Sequence, residues 1–396
     1  MERFLPYPFP RTTAMAVPEA LEGIHRNPAV QVTLPSGDTV WLVTGYDAVK
    51  RLLSDPRVRK DRKNPEDARL SRDNNMLQDP RASLDPPRHP VIRRIISKAF
   101  TPARVKQLRE PTENLVKELL DNTEAAGPPA DLHQTLTFPL AIRTLSTLLG
   151  VPPEDHIKFR TWVDKFFSII PGNPEEIAIV RGELWAYIEN LVDARRKNPR
   201  DDLISALIRA RDEDDSRLTE YELAWWSQGV LLGGYETTAN HLGAGIITLL
   251  TNPDQLGLLR ADPSMTPQAV EELLRIQIVF SSLVGLRYAK EEIEIDGVVI
   301  PKGAGVIPAM ESANRDGKIF PDPERFDIRR DGHRHLAFGF GPHHCIGSAL
   351  ARMELQTAIG ALLRRFSTLQ LAVNPADLRR SEGGFMEGFR QVPVKW

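Results

Sequence analysis

A helical run from Thr219 to Thr251, opened by a capping signal and closed by Asn252-Pro253, sets the scale of any fold this chain can adopt. In Thr219-Glu220-Tyr221-Glu222 the hydroxyl and the acid three positions on each satisfy a backbone N–H of the first turn. At ~1.5 Å per residue the run is on the order of 50 Å long, enough to cross the whole molecule as a central beam. Its middle carries Gly233-Gly234-Tyr235-Glu236-Thr237-Thr238. Two glycines in a helix interior cost on the order of 1 kcal/mol each against alanine, so something must offset them. Close passage over a bulky flat group is one physical reason and glycine-mediated helix packing is another. A threonine hydroxyl bonded back to a carbonyl one turn earlier would also open the helix locally.

Most of the remaining chain reads as helix. The patterns predict helices over Tyr46–Leu53, His89–Phe100, Ala103–Ala125, Phe138–Leu149, Pro153–Ile170 and Glu175–Asn198. Pro171-Gly172-Asn173-Pro174 separates the last two, an arrangement that suits either a movable lid or an ordinary corner. Alternation over Ala29–Val43 around Pro35-Ser36-Gly37-Asp38 predicts a hairpin. Glu292–Val306 reads as strand–turn–strand about Asp296-Gly297, and Phe385–Val394 as a weaker strand region. Asp61–Leu84 is polar and aperiodic, a long loop. The fold class is mainly α with a small β region, and no linker cuts residues 1–396 into separate domains.

Hydrophobic content of 41% and charged content of 26% are those of a water-soluble globular chain. A net charge of -2 argues against nucleic-acid binding through bulk charge. The proline-broken N-terminus fails as a signal peptide, and no segment has the roughly 20 apolar residues that span a bilayer. A cytoplasmic protein that binds no membrane is expected.

The one cysteine, Cys345, stands in Phe338-Gly339-Phe340-Gly341-Pro342-His343-His344-Cys345-Ile346-Gly347, ahead of a run with Leu355, Ile359, Leu362 and Phe366 at helical spacing. A lone thiol is half of no intrachain disulfide and one corner of no all-cysteine zinc site. It is a buried hydrophobe, a catalytic nucleophile, or the single thiolate ligand of a metal that brings its other ligands with it. Glycines at 339, 341 and 347 permit positive φ and close approach to a flat group, and a helix N-terminus favours a thiolate.

The segment resembles the haem-binding loop of the cytochromes P450 at every defining position. The similarity extends to Phe100-Thr101, Asp201-Asp202-Leu203, Glu272-Leu273-Leu274-Arg275, Ala313-Asn314-Arg315-Asp316 and Phe320-Pro321-Asp322-Pro323, which makes it a whole-chain resemblance. It implies the P450 fold, with the long helix crossing over haem b and Cys345 as axial iron ligand. Phe338 would then pack near the sulfur beside Gly347, and His343, His89, Arg93 and Arg287 would reach the propionates. Glu236 is implied as the acid and Thr237 as the hydroxyl that manage protons for bound dioxygen. Tyr235 departs from the histidine or small residue common at its position. Glu272 and Arg275 correspond to a structural ion pair, followed here by Ile276 in place of the usual aromatic.

The implied activity is insertion of one atom of O2 into a lipophilic small molecule, as hydroxylation or epoxidation, with a macrolide-like polyketide ranked first. Electrons originate from NAD(P)H and arrive through a ferredoxin and its reductase, because the chain has no flavin or nicotinamide segment of its own. Arg94, Lys98, Arg104 and Arg352 are candidates to dock that acidic partner. A peroxide-driven peroxygenase and a non-catalytic haem sensor are the alternatives, and neither needs Glu236 and Thr237 in this arrangement. By position the pocket draws on Leu232, Gly233, Tyr235, Val279, Phe280, Phe385 and Met386, with Phe166, Phe167 and Ile169. A monomer is expected.

Overall fold

The computed structural model describes residues 4–24, 27–72, 79, 84–155, 158–159, 161–162, 174–213, 218–277, 279, 282–330, 334–381 and 386–396. The helices are α1 (Glu19–Ile24), α2 (Tyr46–Ser54), α3 (Arg88–Ser97), α4 (Pro102–Ala126), α5 (Phe138–Leu149) and α6 (Pro174–Lys197). Then come α7 (Leu203–Glu213), α8 (Glu220–Thr251), α9 (Pro253–Ala261), α10 (Thr266–Ile276), α11 (Met310–Ala313) and α12 (Ser348–Arg365). Of the expected helix over 153–170, the structure describes a 3-10 turn at Pro153–Asp155 and helical residues 158–159 and 161–162; the rest of it, and residues 171–173 of the break expected to form a lid or a corner, lie outside the described residues.

The central beam is α8. Thr219 Oγ1 accepts from the Glu222 N–H at 3.1 Å, and Glu222 Oε2 accepts from the Thr219 N–H at 2.8 Å, the reciprocal cap expected of this tetrapeptide. The chain does turn at Asn252, but Pro253 then serves as the first residue of α9, where its missing N–H costs nothing. One apolar cluster joins α8 to α5 and to α6 and α7 through Leu145, Leu184, Leu207 and Leu231. A second joins its C-terminal half to α4, α10 and α12 through Leu120, Ile247, Leu273 and Ile359.

The β region is small. Strands β1 (Leu5–Pro6), β2 (Ala29–Thr33), β3 (Thr39–Val43), β4 (Val58–Arg59), β6 (Arg287–Ala289) and β9 (Gly305–Pro308) form one sheet in the order β1-β2-β3-β9-β6-β4. The expected hairpin is β2–β3, in register from Ala29 opposite Val43 to Thr33 opposite Thr39. Strands β7 (Ile293–Ile295) and β8 (Val298–Ile300) pair about Asp296 and Gly297, whose φ values of 47° and 86° are those of a tight primed turn. Near the C-terminus β11 (Pro393–Lys395) pairs with β10 (Gln370–Leu371) and β5 (Ala130–Asp131).

Glu272 and Arg275 are locked inside this frame. Arg275 Nε and Nη2 donate to Glu272 at 2.7 and 2.9 Å, and Nη1 reaches the carbonyls of Asn314 and Pro323 at 2.8 Å each. Arg330 Nε adds a bond to Glu272 at 3.1 Å. The pair gathers α10, α11 and the 320s loop at one point.

Candidate active site

The loop before α12 is shaped by its glycines. Gly339 and Gly341 have φ of 68° and 72°, which an L side chain resists, and a Cβ at Gly341 would sit 3.0 Å from the Leu53 carbonyl. Gly347 differs from expectation: its φ is -84°, which any residue can adopt, and it lies beside Cys345 Sγ and Phe100. The Cys345 N–H donates to the Phe338 carbonyl at 2.8 Å, folding the loop back on itself. The Phe338 ring is covered by the Arg352 guanidinium at 4.5 Å.

Cys345 is exposed, yet burial pushes its thiol up, against the Gly347 N–H and the charges of Arg93 and Arg352. Both statements hold if the sulfur faces an interior space and not bulk solvent. The helix start alone therefore does not make a thiolate here. A bound metal ion would, since it deprotonates a coordinating thiol outright.

Beside the sulfur lies a cluster of basic side chains. His89 and His343 lie ring to ring at 4.2 Å, with Trp226 on the far side of His89. Arg93 donates to the His344 carbonyl, and Arg287 Nη1 to the Gly285 carbonyl at 2.6 Å. Burial followed by the Arg287 charge brings Lys60 down to about 8. Burial, then Arg93 and Lys60, brings His89 to about 4, and burial, then Lys60 and His89, brings His343 to about 2. Burial lowers Arg287 to about 10, with Asp85 opposing. Lys60, Arg93 and Arg287 held this close, with His89 and His343 neutral beside them as hydrogen-bonding rings, are a receptor for a dianion such as a pair of carboxylates. Sequence reasoning missed Lys60. No motif marks it; its place follows from Asp85, which accepts the Lys60 N–H at 2.9 Å and so folds β4 toward α3.

The glycine pair of α8 divides its work. A Cβ at Gly234 would lie 2.9 Å from the Leu145 methyls, so this glycine is there for packing against α5. At Gly233 a Cβ would meet nothing within 4 Å, and this glycine is exposed in the middle of a helix whose other faces are covered. Thr237 Oγ1 donates to the Gly233 carbonyl at 2.7 Å, the back-bond that opens a helix. One turn on, His241 Nδ1 lies 2.9 Å from the Thr237 carbonyl. Since a carbonyl only accepts, Nδ1 carries the hydrogen and Nε2 is left as an acceptor. Burial holds His241 to about 4, so it is neutral near pH 7. Gly233, Thr237 and His241 share a face at intervals of one turn. His241 lines a small cavity together with Ala337, next to Phe338, which brings that face to the cysteine loop.

Glu236 is buried behind this face. Leu232 and Tyr235 are turned away from it, and Tyr235 packs on Phe138 of α5 at 5.3 Å. Neither residue lies on the open side of α8. Helical rotation of about 100° per residue sets both apart from the exposed Gly233. Val279 and Met386 are buried and joined through the Glu387 N–H, which donates to the Val279 carbonyl at 2.6 Å. Phe280, Phe385, Phe166, Phe167 and Ile169 lie outside the described residues. Among the four docking candidates, Arg94 and Lys98 are exposed one turn apart on the outer side of α3 and the turn after it. Arg104 pairs with the exposed Asp201, and Arg352 holds Glu271 at 2.7 and 2.9 Å.

A thiol facing an interior space, a cationic receptor beside it and an open, glycine-bedded helix face fit haem, with its axial site, two propionates and flat macrocycle. No helix among the described residues is long and apolar enough to cross a membrane. The cytochrome P450 family model matches residues 175–387. The chain is 41% identical over 374 residues to the cytochrome P450 monooxygenase PikC of Streptomyces venezuelae, covering 93% of this chain and 88% of that one. It is 39% identical over 369 residues to the mycinamicin IV hydroxylase/epoxidase of Micromonospora griseorubida, covering 93% and 92%. Among solved structures, the putative thioether synthase SgvP of griseoviridin tailoring matches with a TM-score of 0.94 at 38% identity over 100% of both chains. The LnmA hydroxylase from the leinamycin pathway of Streptomyces atroolivaceus S-140 matches at 0.89 with 40% identity, over 99% and 100%. The chain belongs to the cytochrome P450 family and is a haem monooxygenase.

Proposed function

We propose that the chain hydroxylates or epoxidises a lipophilic, macrolide-like polyketide, with electrons passed from NAD(P)H through a ferredoxin reductase and a ferredoxin. Haem, when bound, supplies the dioxygen activation. Cys345 would provide the axial sulfur, and His89, Arg93, Arg287, His343 and Lys60 would hold the propionates. The observation that carries this assignment is the cationic receptor beside the one thiol. Phe338 and Gly347 shape the wall at the sulfur, and Glu272 with Arg275 fixes the frame around it.

On the other side, Thr237 has given its hydroxyl hydrogen to Gly233, so its oxygen lone pairs are free to accept a hydrogen bond from within the chamber. Glu236 is the neighbouring acid from which a proton can be replenished. The names of PikC and the mycinamicin IV hydroxylase/epoxidase, with the 6-deoxyerythronolide B hydroxylase of Saccharopolyspora erythraea, support a polyketide substrate. We place the protein in the cytoplasm as a monomer.

Three measurements test this reading. Cys345→Ser should abolish the thiolate spectrum of the reduced CO complex, and an unchanged spectrum refutes the ligand. Titration with macrolide aglycones should shift the haem band. Product from peroxide alone, with none from a ferredoxin system, would replace the reductive route by a peroxygenase.

A further inference from the structure

The N-terminal segment and the segment before β11 are joined by a cluster of bonds that the monooxygenase reaction does not itself require. Arg11 donates from Nε and Nη2 to Glu387 Oε2 at 2.9 and 2.7 Å, and from Nη1 to the Ala16 carbonyl at 2.7 Å. Arg380 donates to the Ala14 carbonyl at 2.6 Å and to the Glu387 carbonyl, with its guanidinium 4.3 Å over the Phe389 ring. The side chains of Arg11 and Glu387 are only 11% and 17% exposed, so water screens their attraction far less than that of a surface pair.

What this cluster holds is a strip of backbone beside the central helix. Between Met386 and Phe389 the chain is pinned on one side by the Glu387 N–H to the Val279 carbonyl. On the other side, a Cβ at Gly388 would lie 1.8 Å from Asn240 Oδ1 and 2.9 Å from Asn240 Cβ. Asn240 belongs to α8, three residues beyond Thr237. Residues 386–388 are thus wedged between Val279 and the central helix. The Ser381 N–H also donates to the Gly388 carbonyl at 2.8 Å, and the Glu387 side chain extends away from the strip to Arg11.

We propose that Arg11 is a positioning residue for substrate binding: through Glu387 it sets the depth at which Met386, Gly388 and Val279 stand over the chamber. It touches neither haem nor substrate. The proposal rests on the reading above that Val279 and Met386 face the substrate. It predicts an effect graded by ligand size, because a strip that loosens alters the wall met by a large ligand and leaves the iron as accessible to a small one.

The test uses the haem-loaded full chain as wild type, Arg11→Ala, Arg11→Lys and the exchanged pair Arg11→Glu with Glu387→Arg. Two probes are titrated by the haem band, imidazole and the bulky azole clotrimazole, and deuterium uptake is followed in peptides covering 386–392. In Arg11→Ala, clotrimazole should bind at least about fivefold more weakly, the size of one partly buried charged hydrogen bond. Imidazole should change by less than about twofold, the reduced CO spectrum should stay unchanged, and 386–392 should exchange faster. Arg11→Lys or the exchanged pair should recover part of the loss. Equal loss of both azoles, or no change in either, overturns the proposal. If the wild type binds imidazole but not clotrimazole, the large apolar pocket is the reading that fails. Exchange in 386–392 then decides for the latch if faster in Arg11→Ala and against it if unchanged.

Discussion

Gly233 and Thr237 are joined by a 2.7 Å hydrogen bond from the threonine hydroxyl to the glycine carbonyl, on the face of the central helix where the structure leaves open space. The bond makes the hydroxyl an acceptor toward the open side of the helix, one turn from Gly233. Thr237→Ala should therefore keep haem and substrate binding while product per NAD(P)H oxidised falls by about tenfold or more, the lower range for loss of a proton-handling group. Product yield is compared with NAD(P)H consumed, and unchanged coupling in Thr237→Ala counts against the role.

The adjoining glycines should respond in opposite ways. Gly234→Ala forces a methyl into the Leu145 side chain and should destabilise the protein by about 1–3 kcal/mol. Gly233→Ala meets no protein atom, so the apoprotein should gain up to about 1 kcal/mol from helix propensity. The same methyl occupies space over the cofactor, so haem or ligand binding should weaken. Thermal melts of apoprotein and holoprotein separate the two effects.

A buried acid on α12 makes stability depend on pH. Glu354 is pushed up to about 8 by burial, with a Thr144 hydrogen bond opposing. Its ordinary value is 4.5. The folded state thus keeps its proton where the unfolded chain has lost one, so this contribution to stability is complete below about 4.5 and is lost as pH rises to about 8. Urea denaturation across that window should show stability falling with pH, and Glu354→Gln should flatten the slope. An identical slope in Glu354→Gln would rule the group out.

Electron delivery offers a test of the outer surface. Arg94→Glu with Lys98→Glu should slow ferredoxin-driven reduction by roughly tenfold at low salt, with the difference shrinking as salt rises. Reduction by dithionite should not change. Arg352→Ala should instead lower the melting temperature, because it removes the bonds to Glu271 and the cover over Phe338.

The helices were legible where pattern and punctuation agreed. Phe138–Leu149 has the bounds expected, and the Thr219 cap opens α8. The cysteine loop and the ion pair of Arg275 could be read because their chemistry is local to a few residues. Pairings between distant segments could not: β3 lies beside β9, and β1 beside β2, through contacts that no local pattern encodes. The same holds within the site. Lys60 joins the cationic receptor only because Asp85 folds its strand inward, and His241 acts through a carbonyl one turn away. Tyr235, two residues from the open Gly233, belongs to the core because of helical rotation.

Glu222 does two jobs at the start of the central helix. Its carboxylate accepts the Thr219 N–H and also takes Arg88 Nε at 2.7 Å and Arg88 Nη2. Arg88 opens α3, the helix that carries His89 and Arg93. The beam that presents Thr237 and the helix that presents the cationic receptor are therefore surveyed from one benchmark. A change at Glu222, far from any reacting atom, would throw the two walls of the site out of alignment with each other.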